Sequence, residues 1–278
     1  MASSTCLTSQ DYTVGWICAL SLEMSVALAM LDEHHSPPLD HNRNRNDRNN
    51  YSFGRIGSHN VVIAVLPAGT YGTNSAAMVA TCMSYNFGSL QFYLMVGIGG
   101  GVPSGEHDIR LGDVVVSKPG MRHPGVLQYD FGKTGRQGEF IQTGVLNKPP
   151  QETLTAVAAL EARHMMAEND IYSFLSDMVA KHPFMRQKFS YQGAEHDILF
   201  RADYNHVDCA PTCATCDTSK AIFRSPRSSN IPVIHYGLIA SGNQVIKDAI
   251  TRDQLREQFD MLCFEMEAAG LMVSAYSY

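Results

Sequence analysis

The chain has 278 residues, 45% hydrophobic and 17% charged, an ordinary globular composition with enough length for one large α/β domain or two small ones. A formal net charge of −6 and a pI near 6.0 leave no broad basic surface, which excludes a general nucleic-acid binder while allowing a local pocket for a small anion. No segment approaches the roughly 20 apolar residues that a bilayer crossing needs, so no membrane partner is expected.

The N-terminal MASSTCLTSQDYTVGWICAL lacks a basic lead-in and is a poor signal peptide. Seven scattered cysteines indicate reduced thiols and a cytoplasmic protein. Residues 1–11 are expected to be a disordered tail and residues 12–278 one domain. TVGWICAL, residues 13–20, predicts the first strand. SLEMSVALAML behind it carries apolar residues at helical spacing, with Ser21 placed to cap. EHHSPPLDHNRNRNDRNN, residues 33–50, predicts a mobile polar loop in which Arg43, Arg45 and Arg48 are solvated.

HNVVIAVLP, AGTYGTN and SAAMVATCMSYNF predict strand, glycine turn and helix. QFYLMVGIGGGV predicts a further strand running into a glycine-rich turn, and LGDVVVS and GVLQYDFG two more strands. Two helical stretches are expected over residues 151–188, then an irregular, cysteine-bearing stretch over 191–230. PVIHYGLIAS resumes the sheet, NQVIKDAITRDQLREQF reads as helix, MLCFEM as the last strand and EAAGLM as the start of a helix. Alternating strands and helices define an α/β fold: one mostly parallel or mixed sheet with helices on both faces and ligands beyond the strand ends.

Three motifs fail on inspection. VGIGGGV has Val102 where the third glycine of a dinucleotide fingerprint belongs, and polar loop follows it instead of helix. The GKT at residues 132–134 has Leu127 where a phosphate-binding loop needs its first glycine. HVDCAPTCATC gathers His206, Cys209, Cys213 and Cys216, but four ligands in so short a segment are crowded and no second C-x-x-C pair supports them. It is read as ordinary loop cysteines, and neither metal nor cofactor is expected.

What survives is a set of carboxylates. Glu23 falls in the first turn of a helix after the first strand, and Glu265 and Glu267 lie at the last strand-to-helix junction. Two positions apart on a strand, Glu265 and Glu267 would share one face, either capping the helix or gripping a ligand. Carboxylates facing a sugar are what cleavage of a ribosyl bond requires. One activates the attacking water, while another holds ribose hydroxyls and favours the positive charge on the ring. The bland reading of Glu23 is a helix-dipole partner.

VGWICALSLEM, LPAGTYGTNSAA, VGIGGGVPSGEHDIRLGDVVVS, HYGLIASGNQVIKD and CFEMEAAGLM, in this order, resemble the purine and uridine phosphorylase superfamily. The resemblance is strongest to the nucleoside phosphorylase-like domain at the N-terminus of fungal multidomain proteins. It implies a three-layer α/β/α sandwich around a mixed, partly closed sheet. It also implies cleavage of the N-glycosidic bond of a purine nucleoside or nucleotide, by phosphate as a glycosyl transfer or by water as a hydrolysis.

Carried over by motif, Glu23 is the water-activating residue, Met266 and Glu267 support the ribose with Glu265 behind them, and Val245 and Ile246 pack on the base. Gly69 with Gly97, Gly99 and Gly100 forms the rim of the phosphate or nucleophile site. Met95 and Ile98 stand where phosphorylases of this type carry an arginine and a serine, so water is favoured. The family's leaving-group aspartate lies on a strand beyond the EMEAAG helix, so the resemblance leads one to expect that strand and its closing helix to be missing. The rival expectation is therefore a catalytically impaired nucleoside-binding or sensing module. The long loop from Arg43 to Asn50 falls near where neighbouring subunits of the family meet, so the resemblance allows a homo-oligomer as partner.

Overall fold

The structure is a computed structural model describing residues 7–40, 46–136, 140–207 and 212–274. Its elements run β1 (Val14–Cys18), α1 (Ser21–Ala29), β2 (Glu33–His35), β3 (Tyr51–Ile56), β4 (His59–Val65), α2 (Thr73–Asn86), β5 (Phe92–Met95) and β6 (Gly100–Gly101). β7 (Val114–Ser117), β8 (Val126–Gln128), β9 (Gly132–Thr134), β10 (Phe140–Gln142), α3 (Gln151–Met166), α4 (Ile171–Lys181) and α5 (Arg186–Phe189) follow. β11 (Ile234–Ser241), α6 (Ala249–Phe259), β12 (Met261–Glu265) and α7 (Ala268–Ser274) complete it.

The first sheet has the order β2-β3-β4-β1-β5, parallel at β4-β1-β5 and antiparallel at its β2-β3-β4 edge. Alternation along β1 divides its side chains between two cores. Val14, Trp16 and Cys18 meet Met24, Ala27 and Leu28 of α1 on one face. Ile17 meets Ala76, Val79, Ala80 and Met83 of α2 on the other. Helices on both faces make this half a three-layer α/β/α sandwich.

The second sheet centres on β11, which pairs in parallel with β12 on one side and, on the other, with β7 along its first half and β8 along its second. β6 adds an antiparallel edge to β12, and the turn from β5 to β6 carries the chain from one sheet to the other. α6 covers the Leu238 and Ala240 face through Leu255 and Phe259. α7 serves both halves: Leu271 joins the first-sheet core, and Ala268 and Met272 pack beside Val126 of β8.

Several local expectations change. Leu20, not Ser21, is the N-cap of α1, because the Glu23 carboxylate already takes the Leu20 N–H. The helix expected from Asn243 onward starts only at Ala249, where the Asp248 carboxylate accepts the Thr251 N–H at 2.7 Å. Residues 33–50 are not wholly loop: Glu33–His35 pairs antiparallel with β3. Asp47 is buried and accepts the Tyr51 hydroxyl and the Asn86 amide at 2.8 and 2.6 Å. Arg48 is exposed, whereas Arg43, Arg45 and Cys209 lie outside the described residues. Of the tail expected over residues 1–11, residues 1–6 also lie outside them, and Ser9–Asp11 forms a short 3-10 turn tied to Asp40.

The GKT tripeptide is β9, paired with β10, so its backbone serves a hairpin. The described part of residues 191–230 holds only 3-10 turns and one isolated β-bridge. Ionic contacts fasten it to the amino ends of β7 and β11. The buried Asp113 carboxylate bonds Arg227 at 2.7 Å and His235 at 3.1 Å, and Arg224 bonds Asp197 at 2.7 Å. Burial works against the Asp113 charge, yet the hydrogen bonds from Arg227, His235, Val233 and Arg110 outweigh it and hold the carboxyl well below the usual range.

Candidate active site

The carboxyl ends of β1, β4, β5, β8, β11 and β12 open into the turns that carry the acidic and glycine-rich segments, the usual ligand position in α/β folds. Glu23, in the first turn of α1, folds its carboxylate back over the end of β1. Oε2 accepts the N–H groups of Ala19 and Leu20 at 2.7 and 2.9 Å. Oε1 accepts the Ile98 N–H at 2.8 Å from the turn after β5. Three backbone donors fix the group, and Oε1 keeps a lone pair for a further donor. Gly97 makes this possible: a Cβ there would stand 2.8 Å from Glu23 Oε1.

Glu265 and Glu267 do not act as a pair on one strand face, because β12 ends at Glu265 and Glu267 belongs to the turn. Glu265 caps α7, its Oε2 accepting the N–H groups of Glu267 and Ala268 at 2.9 and 2.8 Å. Its Oε1 is buried and, among the described residues, has no partner in hydrogen-bond geometry. Burial pushes its carboxyl above the ordinary range, against the pull of Ser241 and those two N–H groups, and the Glu267 charge adds to the rise. Glu267, 7% exposed, turns toward the start of α2 instead. It accepts the Gly72 N–H at 3.0 Å and the Met266 N–H at 3.2 Å. Burial raises its carboxyl too, and the neighbouring Glu23 charge raises it further. Carboxylates 244 positions apart in the chain therefore feel one another at one place.

Sequence reasoning missed the polar relay behind Glu267. Gly72, at φ +100°, is the N-cap of α2, and a Cβ on it would stand 2.5 Å from Asn243 Oδ1. That amide oxygen accepts the Thr73 N–H at 3.1 Å and the Thr73 hydroxyl at 3.2 Å. Asp130, at the end of β8, accepts the Asn243 N–H at 2.7 Å. The available signals were turn chemistry: a Gly-Thr pair opening a helix, and an asparagine in the turn after a long strand.

The remaining expected residues are distributed as follows. Gly69, at φ +77°, is exposed in the turn after β4. Gly97 and Gly99 are exposed in the β5–β6 turn, while Gly100 is used by β6 in pairing with Phe264. Met266 is half-buried beside Glu267. Val245 is 66% exposed, whereas Ile246 packs on the core beneath α6.

Helices on both faces of mixed sheets, with carboxylates gathered at the strand carboxyl ends, define an α/β protein of the nucleoside phosphorylase and nucleosidase fold. A sequence profile of the Phosphorylase superfamily matches residues 13–278, and the chain belongs to that family.

A nucleotide-binding leucine-rich repeat (NLR)-like protein of Hyaloscypha variabilis is 44% identical over 266 residues. That stretch is 96% of this chain but 26% of the relative, so the chain spans about a quarter of the relative's length. Among solved structures, the Neisseria meningitidis 5′-methylthioadenosine/S-adenosylhomocysteine nucleosidase in complex with methylthio-immucillin-A superposes with a TM-score of 0.53. It is 16% identical, with 95% of this chain and 79% of that chain covered. A mutant Helicobacter pylori enzyme of the same name, with 5′-methylthioadenosine in its active site, gives 0.53 at 14% identity, covering 95% and 78%. Futalosine hydrolase of Helicobacter pylori gives 0.51 at 16%, covering 95% and 78%. The likeness to these structures is one of fold. Among the described residues, no helix is long and apolar enough to cross a membrane.

Proposed function

We propose that this chain cleaves the N-glycosidic bond of a purine nucleoside or nucleotide, with water as the nucleophile. The observation that carries the reading is that Glu23 and Glu267 both lie at strand carboxyl ends, near enough for the Glu23 charge to act on Glu267, each anchored by backbone N–H groups from more than one segment. Water held by Glu23 Oε1 passes a proton to that carboxylate as its oxygen bonds to the anomeric carbon, the C–N bond breaks through an oxocarbenium-like transition state, and the base leaves with the electron pair and takes up a proton from solvent. Glu267 accepts ribose hydroxyls and favours the charge growing on the ring. Met266 lies beside it, Glu265 fixes α7 behind it, and Val245 is exposed for contact with the base.

Water is preferred over phosphate for two reasons. Met95 and Ile98 offer no charged side chain, and the Ile98 N–H in the glycine turn is already committed to Glu23. The fold likeness to two kinds of nucleosidase supports the bond class, and the match to the NLR-like relative supports no particular substrate.

The test is chromatography of free base released by the purified chain from adenosine, inosine, methylthioadenosine and ATP, with and without phosphate. Release from at least one substrate, independent of phosphate and reduced about 10²–10⁴-fold by Glu23→Gln, is expected. Nucleoside binding with no release from any substrate would reassign the site to sensing, and phosphate-dependent release would reassign the nucleophile.

A further inference from the structure

Residues 199–207 and 212–222 are two described segments that meet at a common base. At the base, Phe200 and Ala221 form an antiparallel bridge, flanked by the Ile222 N–H to Leu199 carbonyl bond at 2.7 Å and the Arg201 N–H to Lys220 carbonyl bond at 3.1 Å. Among the described residues of these segments, the one buried side chain is Cys216, 7% exposed. With so little buried among the described residues, these segments need another kind of staple, as small domains do.

The material for one is present. One ligand atom each from His206, Cys213 and Cys216 lies within 4.8 Å of the others. Cys213–Thr215 is a 3-10 turn in which the Cys216 N–H bonds the Cys213 carbonyl at 3.1 Å, folding the C-x-x-C step so that both sulfurs turn the same way. The His206 Nδ1 hydrogen bond to the Val207 carbonyl, at 2.8 Å, leaves the lone pair on Nε2. Tetrahedral zinc with thiolate bonds near 2.3 Å separates its ligand atoms by roughly 3.5–3.8 Å, a modest contraction of the spacing seen.

We propose that His206, Cys213 and Cys216 bind a zinc ion that clasps these two segments together. Two thiolates and a neutral imidazole are a soft donor set that favours zinc over magnesium or calcium and neutralises its charge. This departs from the reading of ordinary loop cysteines, which rested on crowding and the lack of a second C-x-x-C pair: three of the four residues bring ligand atoms within 4.8 Å of one another, and Cys209 lies outside the described residues. Three protein donors would leave the fourth tetrahedral position to water, and the role proposed for the ion is to hold these segments together. Their base adjoins Asp197 and Arg224, which are tied to Asp108 before β7, at the amino ends of the strands. Glu265 and Ser241 end the same sheet at the opposite side, about 23 Å along β11. The proposal is therefore independent of the glycosidic chemistry.

The experiment is elemental analysis and cobalt substitution of the full chain purified under reducing conditions. One equivalent of zinc, displaced by cobalt to give the thiolate charge-transfer and tetrahedral d–d bands, is expected. His206→Ala should weaken retention by at least the 10–100-fold that loss of even an outer-shell partner costs. Cys213→Ser with Cys216→Ser should abolish it, while Cys82→Ser on α2 keeps it. Chain that holds no zinc against a chelating dye, a cobalt spectrum without thiolate bands, or metal retained by the double variant would each overturn the clasp. A Cys213–Cys216 disulfide that persists in the presence of reductant would overturn it as well. The wild-type measurements stand even where a variant fails to fold.

Discussion

Gly97 sets how closely the β5–β6 turn approaches the Glu23 carboxylate, so it is a sharper probe of the site than a loss of charge. Its added Cβ in Gly97→Ala must displace an oxygen 2.8 Å away or the turn that donates the Ile98 N–H. A misplacement of about 1 Å commonly costs about 10²-fold in rate, so kcat should fall by that order while the circular dichroism spectrum stays that of the wild type. Full activity in this variant would remove Glu23 from the chemistry. Glu267 supplies a second probe through pH. Burial raises its folded-state pKa, the Gly72 and Met266 N–H groups oppose the rise, and Glu23 adds to it. The folded chain thus holds this proton more tightly than the unfolded one. Its contribution to stability is complete below the ordinary glutamate value of about 4.3 and is lost as pH rises through the raised value. Urea melts should show the stability of wild type relative to Glu267→Gln decreasing as pH rises across that window. A difference that is flat or grows would contradict the assignment. Glu23, Glu265 and Glu267 were legible in the sequence because each sits next to a strand end within a recognisable stretch. Thr73, Asn243 and Asp130 were not, because their bonds join segments 113 to 170 positions apart and leave no local trace.

At the level of elements, the strands that read clearly are those whose apolar runs are buried on both faces, such as β4 and β11. β3 is not legible in the sequence because YSFGRI mixes glycine and arginine into the pattern. Its pairing with β4 through all six positions, not its own composition, makes it a strand. The start of α6 was misplaced because residues 244–247 suit a helix by composition, while Asp248 supplies the cap that fixes the boundary. The irregular stretch before β11 depends on Asp113 instead of on secondary structure. Asp113→Ala leaves Arg227 and His235 without their shared anion in a largely dry setting, so a loss of about 3–5 kcal/mol is expected in denaturant unfolding. Limited proteolysis should then cut first between residues 191 and 230. Unchanged stability would mean that the ionic contacts are incidental to how this stretch is held.

For the molecule as a whole, the two sheets have separate cores, and the site is one of the places where they are joined. Gly72 and Thr73 open the helix covering the first sheet, while Glu267 and Asn243 belong to turns leaving the second. A ligand held by Glu23 and Glu267 therefore touches both halves, and its binding free energy adds to the stability of the joined state. The Glu23→Gln variant, impaired in turnover, is the suitable host for this measurement. Its unfolding free energy should rise with the logarithm of adenosine concentration, by about 2.7 kcal/mol at one hundred times the dissociation constant. Hydrogen exchange should slow at both the start of α2 and the β12–α7 turn, because one bound ribose restrains both. Adding Glu267→Ala should abolish the stabilisation. Protection confined to one half, or a melting profile indifferent to adenosine in the single variant, would mean that the two carboxylates share a neighbourhood without sharing a ligand.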